Sequence, residues 1–320
     1  MEEIKKNKII SSFESSLDCY QRAIYSICKR KYNRDVMLIC ALFWEVNLKK
    51  NTGVLWCDIN IPEPNIIVHI MKEWYGIEMK YNILSNKAAT EKICQGLFNN
   101  EELVIQMDGF DCSWNFAYQK HHLPHTLIIK NYCHETDMYQ CYDPFYQENY
   151  IYEILAKKVE NSVYSVTEIR EISQEKRFDI SEIYKILSNN YGGTIDEIEQ
   201  FYKNIINRIK QIKEIDELFY GENEPELSDL ILKCKNIANN RNAICGLLLT
   251  YENKKSKNSF DLAEYFYELG NVWRTININF MRMNLKQCIE CSKVYEKLEE
   301  AKKIEVLIME QLSEYKKTEV

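Results

Sequence analysis

Among the twelve cysteines of this 320-residue chain, Cys19 has the setting of a nucleophile. It follows Ser15 and Asp18, which together are typical of a helix start, and an amphipathic helix continues through Cys28. A thiol in the first helical turn meets the positive end of the helix dipole, which favours a thiolate, and unpaired backbone N–H groups that can hold an oxyanion. Cys28 and Cys40 lie among apolar neighbours in predicted helices, so we interpret both as packing thiols.

A general base for this thiol must come from the first half of the chain, because all five histidines lie there. Two β-rich runs, 126–132 and 138–142, are separated by a short polar loop and predict a hairpin. With the turn centred near His134, His125 faces Asp143 across the open end of the hairpin. A carboxylate beside an imidazole fixes the tautomer of the ring and stabilises the imidazolium, which is what a general base requires.

The order of these groups is that of papain-like enzymes: a cysteine at a helix start, a histidine opening one strand and an aspartate closing the next. Four motifs further resemble the butirosin-side-chain acyltransferase family, papain-like proteins of natural-product biosynthesis. They are Asp18-Cys19 before a helix, Gln106-Met-Asp108 with Trp114 and Tyr118 after it, His122-Leu-Pro-His125-Thr-Leu-Ile-Ile, and Tyr142-Asp143-Pro144. The resemblance spans nearly the whole chain, and segments like 241–244 and 262–273 recur in the helical C-terminal region of that family.

The resemblance implies acyl transfer through a covalent cysteine intermediate. Cys19 would be the nucleophile, His125 the base and acid, and Asp143 the group that orients the histidine. An acyl or peptidyl group would arrive on the phosphopantetheine arm of a carrier protein and pass through Cys19 to an amine, such as a small diamine, in nonribosomal biosynthesis. The chain itself would bind no cofactor.

The same family pattern suggests that Asp108, Trp114 and Tyr118 line the substrate pocket. In one respect the sequence departs from peptidases of this fold, which place a glutamine several residues before the cysteine to complete the oxyanion hole. The stretch 11–17 contains no glutamine, which counts against a peptidase. The second oxyanion donor stays open between another backbone N–H, Ser15 and Ser16.

The elements that must position these groups divide near residue 175. Residues 1–175 predict an α+β, papain-like catalytic domain, with helices at 18–31, 35–46, 64–75 and 86–98 and strands at 102–107, 126–132, 138–142, 150–155 and 163–172. Residues 176–320 predict an α-helical bundle, which would form an acyl channel or a docking face for the carrier protein. Its helix starts are marked by capping boxes, Asp179 with Glu182 and Thr194 with Glu197.

Composition excludes several other classes of function. The formal net charge is -7, from 41 basic and 48 acidic residues, and no run of five or six like charges occurs, which disfavours binding to nucleic acid or to anionic membranes. The longest uncharged apolar run has nine residues, whereas a membrane span needs about 20. With no export signal visible, the cysteines are expected to be reduced thiols of a cytoplasmic protein.

The sequence predicts neither a metal centre nor a nucleotide site. A cluster of possible ligands lacks the spacing of a zinc motif; its members are His121, His122, His125, Cys133, His134 and Cys141. The single Cys-x-x-Cys, Cys288 to Cys291, is expected on one face of a helix. No glycine-rich phosphate motif occurs, so amide formation would not consume ATP here.

Two other functions remain open at this point. One is a cytoplasmic cysteine peptidase or amidase with the same triad of Cys19, His125 and Asp143. In that enzyme water, and not an amine, would release the acyl group from the cysteine. The other is a non-catalytic protein that binds a carrier protein or a metabolite, in which Cys19 has only a structural role.

Overall fold

The computed structural model describes residues 13–40, 47–48, 59–60, 65–173, 180–190, 194–219, 224–225, 227–251 and 257–318. The chain divides into two compact units. The sheet unit consists of Leu17–Ile39 and Ile67–Lys176, and the helical unit of Met1–Ser16, Cys40–Ile66 and Arg177–Val320. One boundary between the units lies at 176/177, next to the division predicted near residue 175. Before residue 67 the chain alternates between the units, because only Leu17–Ile39 belongs to the sheet unit.

Antiparallel strands form the sheet of the first unit. Two short strands, β1 Asn47–Leu48 and β2 Ile59–Asn60, pair with each other in the helical unit. The strands of the sheet unit are β3 Ile77–Ile83, β4 Leu103–Asp108, β5 Pro124–Cys133, β6 Met138–Asp143, β7 Gln147–Leu155 and β8 Val163–Glu171. Their order is β3-β8-β4-β5-β6-β7, and every neighbouring pair is antiparallel.

Helices pack on this sheet because alternate side chains of its strands are apolar. They are α1 Cys19–Tyr32, α3 Asn86–Phe98 and α4 Ala156–Ser162, while α2, Asn65–Tyr75, lies between α1 and β3 in the chain. One face of the sheet carries Ile105, Met107 and Leu127, which form a buried core with Ala89 and Ile93 of α3. Helix α1 packs against β5 and buries residues that recur every three or four positions, namely Tyr20, Ala23, Ile24, Ile27 and Cys28.

The β5–β6 hairpin has a different register from the predicted one. Ile128 pairs with Tyr142 and Ile129 with Cys141, so His125 lies two residues away from direct opposition to Asp143. The loop has four residues, 134–137, and the register shifts once more after Ile129. Because side chains alternate with a period of two, an offset of two keeps His125 and Asp143 on the same face, where they meet diagonally.

The described C-terminal residues of the helical unit form helices. These are α5 Ile180–Asn190, α6 Ile195–Gln211, α7 Asp216–Phe219, α8 Asp229–Tyr251, α9 Lys257–Lys286 and α10 Ser292–Thr318. The capping box predicted at Thr194 and Glu197 is confirmed at the start of α6. Its counterpart at Asp179 lies outside the described residues.

A buried ion pair lies inside the helical unit. Arg241 of α8 and Glu305 of α10 are 0% and 2% exposed, with Arg241 Nη2 at 2.5 Å from Glu305 Oε1. The hydroxyl of Tyr202 donates to the other carboxylate oxygen. The carboxylate thus has a donor at each oxygen, which offsets part of the cost of burying its charge.

The predicted α+β class is confirmed, and further details of the prediction need correction. The helix expected at 35–46 is, in the part that is described, a 3-10 turn at Met37–Cys40. Strand β3 and helix α4 were not predicted, although β3 shows clear polar and apolar alternation. Cys288 and Cys291 do not share a helix face, because Gln287 adopts a φ of 49° and ends α9, which leaves 288–291 non-helical.

No helix in the described part of the chain combines the length and the apolar character that a membrane span requires.

Candidate active site

The residues singled out in the sequence converge at one end of the sheet. There β4 ends and β5 begins, with Asp108 opposite Pro124 and Met107 opposite His125. Strand β6 ends at Asp143 beside them. A single end of an antiparallel sheet can therefore collect side chains from segments far apart in the chain.

Cys19 is the first residue of α1. Asp18 is the N-cap, its carboxylate accepts the Gln21 N–H, and the Gln21 side chain accepts the Asp18 N–H at 3.1 Å. The helix start is thus set by Asp18 and Gln21, and the predicted pairing of Ser15 with Asp18 is wrong, since Ser15 lies in a preceding 3-10 turn, 14–16. The expected position of Cys19 in the first helical turn is confirmed.

His125 and Asp143 form a buried pair. His125 Nε2 lies 2.6 Å from Asp143 Oδ2, and the two side chains are 5% and 0% exposed. Two further donors hold the carboxylate: Trp114 Nε1 donates to Oδ2 at 2.7 Å and the Phe145 backbone N–H to Oδ1 at 3.2 Å. Trp114 is itself stacked on Tyr152, with ring centroids 4.3 Å apart. The aspartate is thereby fixed in a single orientation.

The electrostatics of His125 favour its charged form. Burial alone would lower the pKa of His125, but hydrogen bonds to Asp143 and Cys19, together with the charges of these two groups, raise it to about 9. Since Asp143 occupies Nε2, Nδ1 is the ring nitrogen that remains for Cys19. At neutral pH the ring is therefore an imidazolium, the state that stabilises a neighbouring thiolate.

Cys19 is held close to the sheet end by contacts of α1 with two other segments. Its Sγ lies 3.7 Å from Thr126 Oγ1, next to His125 in the chain. Arg22, one turn further along α1, donates from Nη1 to the carbonyls of Pro144 and Phe145 at 3.5 and 3.1 Å. The helix that carries the thiol is thus attached to the turn that follows Asp143.

Aromatic side chains surround the cysteine and the histidine. The rings of Phe145 and Tyr146 meet the His125 ring edge-on, at centroid distances of 6.3 and 5.8 Å. Burial, followed by the charges of Tyr81, Cys19 and Asp108, raises the pKa of Tyr164 to about 12, so Tyr164 is a neutral phenol near the thiol. These aromatic residues were not predicted from the sequence, although Phe145 and Tyr146 follow Asp143-Pro144 directly.

The three predicted pocket residues have different surroundings. Trp114 touches the triad by its hydrogen bond to Asp143. Asp108 accepts the Phe110 N–H and pairs with His122 Nδ1 at 2.6 Å. The Tyr118 hydroxyl accepts from Lys158 Nζ at 3.1 Å. Among the described contacts, only Trp114 of the three is hydrogen-bonded to a triad residue.

Cys112 is a further neighbour, and no motif spacing marks it in the sequence. Its Sγ forms, with a ring nitrogen of His125 and a carboxylate oxygen of Asp143, a group of possible metal-ligand atoms within 4.8 Å of one another. These ligand types suit zinc. However, burial and the charge of Asp143 raise the pKa of the Cys112 thiol, and Asp143 Oδ2 already has two nitrogen partners. The set therefore fits a hydrogen-bonded network better than a metal centre.

Comparison with protein-family models and with curated proteins finds no match for this chain.

Proposed function

We propose that this protein is a cysteine acyltransferase with a papain-like catalytic fold and a helical bundle. It would transfer an acyl or peptidyl group from a carrier-protein thioester, through acyl-Cys19, to an amine in nonribosomal biosynthesis. The observation that carries the proposal is the convergence of Cys19, His125 and Asp143: His125 Nε2 lies 2.6 Å from Asp143 Oδ2, and the neighbouring Cys19 helps to raise the pKa of the His125 ring. A helix that begins at the nucleophile and packs against the strand of the histidine supports the papain-like assignment.

In the first half-reaction, the Cys19 thiolate attacks the thioester carbonyl carbon. A carbon–sulfur bond forms and the carbonyl π electrons move to the oxygen. When the carbonyl reforms, the bond to the pantetheine sulfur breaks, and the His125 imidazolium gives its proton to the departing thiolate. A thioester is exchanged for another thioester, so this step is close to balanced in free energy.

In the second half-reaction, the amine attacks the acyl-cysteine. A carbon–nitrogen bond forms, the bond to Cys19 breaks, and the now neutral imidazole of His125 takes the proton that the amine loses. This returns the thiolate and imidazolium. Water must be kept from competing, and the burial of His125 with the rings of Phe145 and Tyr146 beside it supports that role.

The partners and location proposed for this reaction follow from its chemistry. The donor is a carrier protein with a phosphopantetheine arm, the acceptor is an amine, and both belong to the cytoplasm. Hydrolysis by the same triad is the competing outcome, because water resolves an acyl-cysteine by the same route.

The direct test is acylation of the whole protein by an acyl-pantetheine thioester, followed by intact mass, first without and then with a diamine. Wild type is expected to gain one acyl group and to lose it as amide when the diamine is added. Cys19→Ala is expected not to be acylated. Cys94→Ala is the matched control, because Cys94 is an exposed cysteine of the sheet unit outside the triad.

Three results would overturn the proposal. Equal acylation of Cys19→Ala and wild type would show that the wrong nucleophile was chosen. Release of free acid in the presence of excess diamine would make the protein a hydrolase. Failure of wild type to react with both the free thioester and an acylated carrier protein would favour the non-catalytic alternative.

A further inference from the structure

We infer that Gln106 supplies the side-chain donor of the oxyanion hole, taking the place of the glutamine that is missing before Cys19. This inference rests on the proposed function. Two N–H groups must point at the oxygen on which negative charge develops when Cys19 attacks, and the sequence alone leaves the second of them open.

The first donor is the backbone N–H of Cys19 itself. As the first residue of α1, Cys19 has no acceptor for this group within its own helix. The cap does not use it either, because Asp18 takes the N–H groups of Gln21 and Tyr20. Among the described residues, no hydrogen-bond acceptor is assigned to the Cys19 N–H, so it is available to a substrate oxygen beside Sγ.

The position of Gln106 follows from the register of the sheet. Gln106 of β4 pairs with Thr126 of β5, and Thr126 Oγ1 lies 3.7 Å from Cys19 Sγ. Paired residues share a face, with Cβ atoms about 4.5–5.5 Å apart. Since Met107 belongs to the core on the α3 side of the sheet, Gln106 and Thr126 extend from the other face, which α1 and Cys19 contact. The Gln106 side chain is long enough to reach a carbonyl held at Sγ.

A hydrogen bond from Tyr81 fixes the orientation of the Gln106 amide. The Tyr81 hydroxyl donates to Gln106 Oε1 at 2.9 Å, which leaves the amide N–H groups to point away from Tyr81. Tyr20, the residue after Cys19, packs edge-on against the Tyr81 ring at 6.1 Å. Gln106 is half-buried, and within the described part of the chain its N–H groups have no assigned acceptor. A fixed amide with free donors is what an oxyanion hole needs.

The test compares two reactions of the same thiol. Acylation by an acyl-pantetheine thioester passes through an oxyanion, whereas alkylation by iodoacetamide displaces iodide at a saturated carbon and does not. Gln106→Met, which keeps the volume and removes the donor, is expected to slow acylation by about 10²–10³-fold and to leave alkylation within about twofold of wild type.

Two further variants complete the design. Tyr81→Phe keeps Gln106 but frees its amide, and is expected to slow acylation by about tenfold with alkylation unchanged; it also serves if Gln106→Met does not fold. Gln140→Met is the matched control, because Gln140 lies on β6 of the same sheet and bonds Glu153 instead. It is expected to behave as wild type in both reactions.

The outcomes separate this inference from the function on which it rests. If wild type is acylated and Gln106→Met is acylated equally fast, the inference is wrong and the acyltransferase stands. If acylation and alkylation fall together in Gln106→Met, Gln106 only positions Cys19, and the inference is again wrong. If wild type is alkylated at Cys19 but never acylated, the proposed function fails and the inference fails with it.

Discussion

The protein contains two buried pairs of opposite charge, one in each unit. In the sheet unit, His125 and Asp143 are joined at 2.6 Å, and in the helical unit Arg241 and Glu305 at 2.5 Å. All four side chains are at least nine-tenths buried, and each carboxylate has a further side-chain donor. In burial and distance, the two pairs are alike.

They differ in what the cation can do. An arginine keeps its proton at every physiological pH, so Arg241 can only hold Glu305 in place. His125 can release its proton, and its second ring nitrogen faces a thiol. A buried ion pair is thus a candidate for chemistry only when one partner can titrate and a nucleophile lies within reach.

The largest effect is expected at Asp143. Asp143→Asn keeps the shape but loses the charge that stabilises the imidazolium, so the rate of acylation should fall by up to about 10⁴-fold. Trp114→Phe removes one hydrogen-bond donor to the same carboxylate and should lower the rate of acylation by about tenfold. Pre-steady-state mass spectrometry of the acyl-enzyme measures both. An acylation rate for Asp143→Asn within twofold of wild type would show that His125 and Asp143 form only a structural contact, as Arg241 and Glu305 do.

The second effect is on stability. Glu305→Gln leaves the buried charge of Arg241 without its carboxylate and should lower the free energy of unfolding by about 3–5 kcal/mol. Urea unfolding followed by circular dichroism of the full chain measures the change. Replacing both partners, Arg241→Met with Glu305→Leu, should restore most of it.

Glu300 on the same helix provides the control for that experiment. It pairs with Lys297 at 2.5 Å, but the side chains are 43% and 30% exposed. Glu300→Gln should therefore change the free energy of unfolding by no more than about 1 kcal/mol. An equal loss from Glu300→Gln and Glu305→Gln would contradict the role assigned to burial.

The smallest effect is a pH dependence confined to the sheet unit. Because the pKa of His125 is raised from 6.5 to about 9, the acylation rate should decline about tenfold per pH unit above 9, as the proton for the leaving thiolate is lost. The stabilisation from charged His125 is complete below about 6.5 and disappears as pH rises through about 9. In Asp143→Asn the alkaline decline of the acylation rate should begin at lower pH, since the hydrogen bond to Asp143 helps to raise the pKa of His125. A wild-type decline near pH 7 would exclude the imidazolium.

The sequence predicts the helix of Cys19 and the hairpin of His125 because both have local signals. The capping box of Thr194 and Glu197 is another local signal, and it marks the start of α6 from four consecutive residues alone. The predicted register is wrong by two residues at the open end of the hairpin because the loop, 134–137, is centred after His134, and the shift after Ile129 offsets only part of that difference. Neither feature has a signature in composition.

Contacts between distant segments could not be predicted. Cys112 reaches Asp143 from a turn after β4, and Tyr81 reaches Gln106 from β3, a strand that was not predicted. Such contacts depend on strand order, which one sequence does not specify. Gln106 itself was noted only as part of a motif, and its relation to Cys19 required the pairing of β4 with β5.

The distance along the chain between α1 and the β5–β6 hairpin has a consequence for synthesis on the ribosome. Cys19 contacts Thr126 across 107 positions, and Arg22 contacts Pro144 across 122. The helix with the thiol emerges first, but its histidine and aspartate are translated more than a hundred codons later. During that interval Cys19 lacks both partners, so any activation of its thiol by His125 and Asp143 must wait until the end of β6 has left the exit tunnel and folded.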